Sequence, residues 1–304
     1  VIRAAPCDVP ALVEPNHPMS APGASIEAIQ YHYDLGDAFY RLWLDPTLTY
    51  TCALWDDPAE PLERAQRRKI RHYLDATRGA PLRRVLDVGC GWGSLLRVAV
   101  EEYGAERAVG VTVSRNQHAF VNAIGDPRVE ARLEPWQDHR ADAPYDAAFS
   151  ICAIEHFARP GLSRAERVAI YRGFFKHVHG MTRPGAAFGL QSICWGARRP
   201  DERVAEGLFF MATEIFPESE WPRFAELAHA AEGLFEITAV RNDRMDYVTT
   251  LARWHEALTA NRDAAERASD AATVARYLRF LSFAQVIFRE DYTGLLRISM
   301  RRAG

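Results

Sequence analysis

The sequence predicts an α/β fold: a doubly wound, seven-stranded, mostly parallel sheet, preceded by N-terminal helices and carrying a lid insert after strand five. Three observations predict it. From Arg83 onward, short β-rich runs alternate with helical stretches, the pattern of parallel strands joined by right-handed crossovers. The first of these runs leads straight into Gly89-Cys90-Gly91-Trp92-Gly93 and then a helix. Finally, 304 residues with 48% hydrophobic and 25% charged side chains are enough to bury a sizeable core.

Residues 1–24 are expected to form a flexible arm, because Pro6, Pro10, Pro15, Pro18 and Pro22 punctuate it. The arm has no apolar segment behind a basic one, so it does not read as a signal peptide. No run in the chain approaches the ~20 apolar residues of a membrane span. Residues 25–304 are expected to form a single domain. Within it, 25–80 is a helical cap, broken at Asp45-Pro46 and Asp57-Pro58 and dense in aromatics. Residues 81–193 form the core, with strands at Arg84–Val88, Ala108–Thr112, Val129–Leu133, Asp146–Ile151 and Ala187–Ser192, and helices starting near Trp92, Ser114 and Ser163. The insert, 194–232, contains Phe209, Phe210, Met211, Phe216 and Trp221 and is expected to cover the carboxyl edge of the sheet. Residues 233–304 complete the core with a strand at Phe235–Val240, helices around Leu251–Ala260 and Ala272–Phe283, and a last strand at Gly294–Arg301.

Composition narrows the function. Thirty-seven basic and 40 acidic residues leave a net charge of −3, and no basic stripe interleaved with aromatics points to nucleic acid. Lys69 and Lys176 are the only lysines beside 35 arginines, a skew read as coding bias. Cys7, Cys52, Cys90, Cys152 and Cys194 are scattered and odd in number, neither a disulfide framework nor a zinc site. A reducing cytoplasm is the simplest address, and no metal is expected. The oligomeric state cannot be read from the sequence.

The glycine loop carries the chemistry. Its glycines let backbone turn tightly and approach a ligand at the carboxyl end of the first strand, where open α/β sheets bind nucleotide-like molecules. Asp87 on that strand is the acidic companion. The spacing is G-x-G-x-G, no Walker lysine is present, and the second strand ends in Thr112-Val113-Ser114-Arg115-Asn116-Gln117 without a ribose-binding acid. These departures favour S-adenosylmethionine over NAD or ATP, with Thr112 and Gln117 as the polar candidates for the ribose.

Several ordered motifs together resemble the cyclopropane fatty acid synthase and mycolic acid cyclopropane synthase family. They are Tyr33-Asp34-Leu35-Gly36-Asp37, Leu44-Asp45-Pro46-Thr47, Thr49-Tyr50-Thr51-Cys52-Ala53, Leu86 to Gly93, Gly110 to Gln117, Glu155-His156-Phe157 and Thr213-Glu214-Ile215-Phe216-Pro217. The resemblance covers about residues 28 to 302. It implies a class I, Rossmann-like methyltransferase in which Tyr50 and Thr51 close over the cofactor, Gly89 and Gly91 bring backbone against it, Trp136 flanks the adenine and Tyr33 stands near the reacting methyl. It also implies a bicarbonate ion held by a Cys, a Glu, a His and a Tyr. Cys52, Glu155 and Tyr247 match three of these positions, whereas Gln191 stands at the histidine position.

Gln191 can donate and accept hydrogen bonds but cannot carry a positive charge or shuttle a proton near neutral pH. Three outcomes stay open: a retained ion, direct action by Glu155, or a chemistry needing no strong base. The insert differs from the family pattern as well. Arg198, Arg199, Asp201, Glu202 and Arg203 make it polar, and Glu218-Ser219-Glu220-Trp221 follows Pro217, which favours a compact substrate over a long acyl chain. The expected reaction is methyl transfer to an electron-rich carbon, an alkene of a small specialised metabolite or lipid. A small-molecule N-methyltransferase, a long-chain cyclopropane synthase and a catalytically silent binding module are the rivals.

Overall fold

The computed structural model describes residues 23–77, 79 and 81–304, so Cys7 and nearly all of the expected N-terminal arm lie outside the described residues. Seven strands form one sheet in the order β3-β2-β1-β4-β5-β7-β6. They are β1 (Arg84–Val88), β2 (Arg107–Thr112), β3 (Val129–Leu133), β4 (Tyr145–Ile151), β5 (Thr182–Trp195), β6 (Phe235–Asn242) and β7 (Thr293–Arg302). β1 to β5 run parallel, and β7 inserts antiparallel between β5 and β6.

The helices are α1 (Ile26–Tyr33), α2 (Asp37–Tyr40), α3 (Leu62–Leu74), α4 (Ser94–Glu101), α5 (Arg115–Asn122), α6 (Arg164–Met181), α7 (Glu202–Phe210), α8 (Phe224–Ala231), α9 (Arg244–Ala260), α10 (Arg262–Ala268) and α11 (Ala271–Arg289). Local chemistry sets their starts. Ser25, Ser114, Ser163 and Asp270 each accept a hydrogen bond from a first-turn amide of the following helix, and Ser163 forms a full capping box with Glu166. α4 begins two residues after the expected Trp92, because Gly93 holds its cap at φ +78°.

Alternation along the strands divides the core. Val85, Ala108, Ala147 and Phe149 face Ile70 and Tyr73 of α3, Leu95 and Leu96 of α4 and Val121 of α5. Leu86, Val109, Ala148 and Phe188 face Tyr171, Phe174 and Val178 of α6 and Leu227 of α8. A third, aromatic-rich cluster joins Phe39, Tyr40 and Trp43 to Trp254 of α9 and Tyr277 of α11. Every expected strand is present. β5 is longer than the expected Ala187–Ser192 because β7 pairs along it as far as Trp195. α9 likewise starts before the expected Leu251, at Arg244, which places Tyr247 in its first turns.

Candidate active site

A cavity of about 530 Å³ opens at the carboxyl ends of β1, β2 and β4. The sheet edge supplies Asp87 to Gly91, Val111 to Val113 and Ile151 to Ala153; α1 supplies Ile26, Ile29 and Tyr33; the insert supplies Phe216, Ser219 and Trp221. The polar residues of the insert point elsewhere. Arg198 pairs with Glu290 at 2.7 Å and Arg203 with Asp201 at 2.7 Å, both on the outer surface. The insert's polarity therefore describes its solvent side, and its cavity side is largely aromatic. The run after Pro217, on which the expectation of a compact substrate also rested, does reach the cavity: Ser219 and Trp221 line it.

The first half of the cavity is built on the glycine loop. Gly91 has φ +53° and a Cβ there would meet nothing within 4 Å, so it would project into open space. Gly89, at φ +79°, is glycine for a second reason as well: a Cβ would lie 2.4 Å from Cβ of Ala153. Asp87 is buried, its Oδ1 has no hydrogen-bond partner, and burial pushes its carboxyl up to about 7. Thr112 Oγ1 donates to Gln117 Oε1 at 2.8 Å, and both residues line the cavity. That bond leaves the Gln117 amide nitrogen free to donate. Trp136 stands at the far end, against Phe157, Phe174 and His177. Tyr50 and Thr51 form a strap across the opposite side. Tyr50 packs on His32 and Trp254 with its hydroxyl unpartnered.

The second half centres on Glu155. After β4 the chain enters a left-handed conformation at Cys152 (φ +57°), costly for a side-chain-bearing residue, and then a single tight turn, Ile154–His156. That turn brings Glu155 into the cavity wall. Its Oε1 accepts the Ile193 amide at 2.6 Å, its Oε2 is buried without a partner, and burial pushes the carboxyl up to about 7. Tyr33 Oη lies 3.3 Å from His156 Nε2, and His156 Nδ1 lies 2.7 Å from Ser219 Oγ. Burial lowers His156 to about 4, so its ring is neutral at pH 7. Tyr247 also lines the cavity.

Cys52 and Gln191 are placed differently. Both are fully buried and bonded behind the wall. The Cys52 thiol donates to Ala53 O at 3.1 Å, and burial pushes it up to about 12. Gln191 accepts from Arg297 Nη1 and donates to Cys152 Sγ at 3.1 Å. Arg297 holds this layer together: it is 1% exposed, donates to Ala53 O at 2.8 Å and pairs with Asp243 at 2.7 Å. Of the four side chains expected to hold bicarbonate, Glu155 and Tyr247 line the cavity while Cys52 and Gln191 are bonded to protein partners, and the Ile193 amide is already bonded to Glu155. As built, Cys52 and Gln191 turn their polar atoms to protein partners, so the four residues do not form a ready cradle for a planar anion.

Sequence reasoning missed three residues here. Arg297 gave no signal, since it sits in an arginine-rich chain. His156 was visible only as part of the Glu155-His156-Phe157 motif. Lys69 was visible as one of two lysines but was read as composition; it is buried, lines the cavity and donates to Thr51 Oγ1 at 2.7 Å. Among the described residues no cluster suits a metal ion, and no helix is long and apolar enough to cross a membrane.

Sheet order, glycine loop and cavity together define a class I S-adenosylmethionine-dependent methyltransferase. The model of the mycolic acid cyclopropane synthetase family matches residues 22–298. Cyclopropane mycolic acid synthase 2 of Mycobacterium tuberculosis is 33% identical over 294 residues, covering 90% of this chain and 94% of that protein. Methoxy mycolic acid synthase MmaA3 of the same species is 33% identical over 283 residues, covering 88% and 92%. Among solved structures, the cyclopropane synthase MmaA2 from Mycobacterium tuberculosis superposes with a TM-score of 0.83 at 31% identity, covering 92% of this chain and 99% of that one. The mycolic acid cyclopropane synthase CmaA1, solved with SAH and CTAB, gives 0.82 at 31% identity, with the same coverage. The chain belongs to the mycolic acid cyclopropane synthetase family.

Proposed function

We propose that this enzyme methylates an electron-rich carbon, an alkene of a lipid or of a small specialised metabolite, and that Glu155 itself receives the product proton. The observation that carries the reading is the buried, unpartnered Oε2 of Glu155 in the cavity wall, on a carboxyl raised to about 7. A carboxylate tuned toward neutrality is suited to general-base work. Relatives named for cyclopropane and methoxy mycolic acids support an alkene-derived substrate.

When bound, S-adenosylmethionine supplies an electrophilic methyl group. Gly91 and Gly89 bring backbone to it, Thr112 and Gln117 serve the ribose, Trp136 flanks the adenine, and Asp87 faces its amino-acid end. Tyr50 and Thr51 close the strap. The alkene π pair would form the new carbon–carbon bond to the methyl carbon as the methyl–sulfur bond breaks with its electrons passing to sulfur, and the carbocation left on the substrate would be stabilised by the faces of Tyr33 and Phe216. Glu155 Oε2 then takes a proton. Loss from the transferred methyl closes a cyclopropane; loss from a neighbouring carbon leaves a methylated alkene. Water exclusion by the aromatic insert protects the cation. No step is routed through bicarbonate, because Cys52 and Gln191 are engaged elsewhere.

The Tyr33–His156–Ser219 chain favours one alternative, since a neutral imidazole and a hydroxyl on the cavity wall could position an amine for N-methylation. Trideuteromethyl-labelled donor separates the readings. Incubated with panels of unsaturated lipids and small alkenes, the enzyme should give a cyclopropane keeping two deuteriums, or a branched alkene keeping three on carbon. Three deuteriums on nitrogen, with no carbon product, would replace this reading.

A further inference from the structure

Lys69 and Asp87 are two buried, opposite charges that share one cavity and do not pair with each other. Lys69 is 2% exposed and Asp87 3%, and no ion pair within 4.0 Å joins them among the described residues. Lys69 acts on the Asp87 carboxyl only at a distance: burial pushes Asp87 up to about 7 while the Lys69 charge lowers it, and burial pushes Lys69 down to about 8. Asp87 Oδ1 has no partner, and Lys69 spends one of its three donors, on Thr51 Oγ1. Two such charges left apart in an apolar wall are costly unless something bearing both complementary signs lies between them.

The surroundings hold Lys69 in place. On α3, Gln66 stands one turn before it, and Gln66 Nε2 donates to Thr49 O at 3.1 Å and Thr51 O at 2.7 Å. Gln66 and Lys69 together fix the Tyr50–Thr51 strap, so the ammonium reaches the cavity from a rigid helix. The chain uses arginine at 35 of its 37 basic positions, and its other lysine, Lys176, is exposed. A compact ammonium fits beside the Thr51 hydroxyl where a planar guanidinium would need a wider slot.

We propose that Lys69 and Asp87 form a zwitterion clamp in which Lys69 takes the α-carboxylate, and Asp87 the α-ammonium, of the cofactor's amino-acid end. The clamp rests on the cofactor reading above and adds to it a residue that neither the glycine loop nor the strap supplies. It fixes the sulfonium end in line with the cavity, so Lys69 is a positioning residue for the transferred methyl.

Calorimetry on the full chain tests it without any methyl acceptor. Three probes are titrated: S-adenosylhomocysteine, its decarboxylated analogue, and 5′-methylthioadenosine, which lacks the whole amino-acid end. The wild type should bind the decarboxylated analogue at least tenfold more weakly than S-adenosylhomocysteine. Lys69→Met should weaken S-adenosylhomocysteine by about 30-fold, leave methylthioadenosine within threefold, and erase the preference for the carboxylate. Lys69→Gln, which keeps a donor for Thr51, should behave like Lys69→Met. Equal weakening of all three probes would assign Lys69 a structural role and overturn the clamp, as would an intact carboxylate preference in either variant. Failure of the wild type to bind S-adenosylhomocysteine or methylthioadenosine would instead overturn the cofactor reading itself.

Discussion

Two layers of the molecule meet along β4 and β5, and they treat their polar groups in opposite ways. On the cavity side, Glu155 and Asp87 each keep one carboxylate oxygen unpartnered, and Tyr50 its hydroxyl. On the far side, Arg297 gathers Gln191, Asp243 and the Ala53 carbonyl into a layer in which each of these groups has a partner. Ile151 of β4 is directly paired with Gln191 of β5, so the two layers are neighbours in the ladder. The difference teaches where ligand chemistry is possible: a buried polar atom without a partner costs free energy unless a ligand completes it, whereas a completed network does structural work.

The largest expected effect breaks the cavity layer. Glu155→Ala should lower turnover by about 10²–10⁴-fold while S-adenosylhomocysteine affinity stays within threefold; steady-state rates and calorimetry together check this, and parallel losses would make Glu155 structural. Next, Gly91→Val should cost at least ~100-fold in cofactor affinity, because it combines strain at φ +53° with a branched side chain projecting into the cavity. In the far layer, Arg297→Leu should cost about 1–3 kcal/mol of stability in urea unfolding, since it leaves the Gln191 and Ala53 oxygens buried without their donor while Asp243 keeps Arg241 at 3.1 Å. Gln191→His should cost roughly 1–3 kcal/mol and give a bicarbonate titration of activity as flat as the wild type's, because the imidazole would face the Arg297 guanidinium rather than the cavity. A bicarbonate-stimulated Gln191→His enzyme would erase the distinction between the layers.

Acidity sharpens the same contrast. Glu155 has its folded value raised from 4.5 to about 7 by burial. Its contribution to stability is therefore fully present below about 4.5 and is lost as pH rises through about 7. Glu155→Gln should remove that loss, so its melting temperature relative to wild type should rise between pH 5 and pH 8. Turnover of the wild type should increase over the same interval as the base deprotonates.

Much of the fold was legible because it depends on local periodicity. β1 and β3 match their expected bounds, and the helix after Ser163 starts where its capping box dictates. The glycine loop was legible because strand, turn and helix are contiguous. The site was only half legible. Glu155 follows β4 directly, yet its exposure to the cavity depends on the left-handed turn at Cys152 and on an amide from β5. Lys69 was hidden because a lysine on an amphipathic helix ordinarily faces solvent.

Short-range pattern and contiguous motif were enough to encode which strands form, the mostly parallel character of the sheet, the glycine turn and the family to which the chain belongs. Only the tertiary structure decided which way the side chains of Cys52, Gln191, Glu155 and Lys69 point. Arg297 lies more than a hundred residues beyond Gln191 along the chain, and its charge had to be neutralised by whichever acceptors β7 brought beside it. That requirement holds the Gln191 oxygen on Arg297, while the turn at Cys152 and the Ile193 amide leave Glu155 facing the cavity.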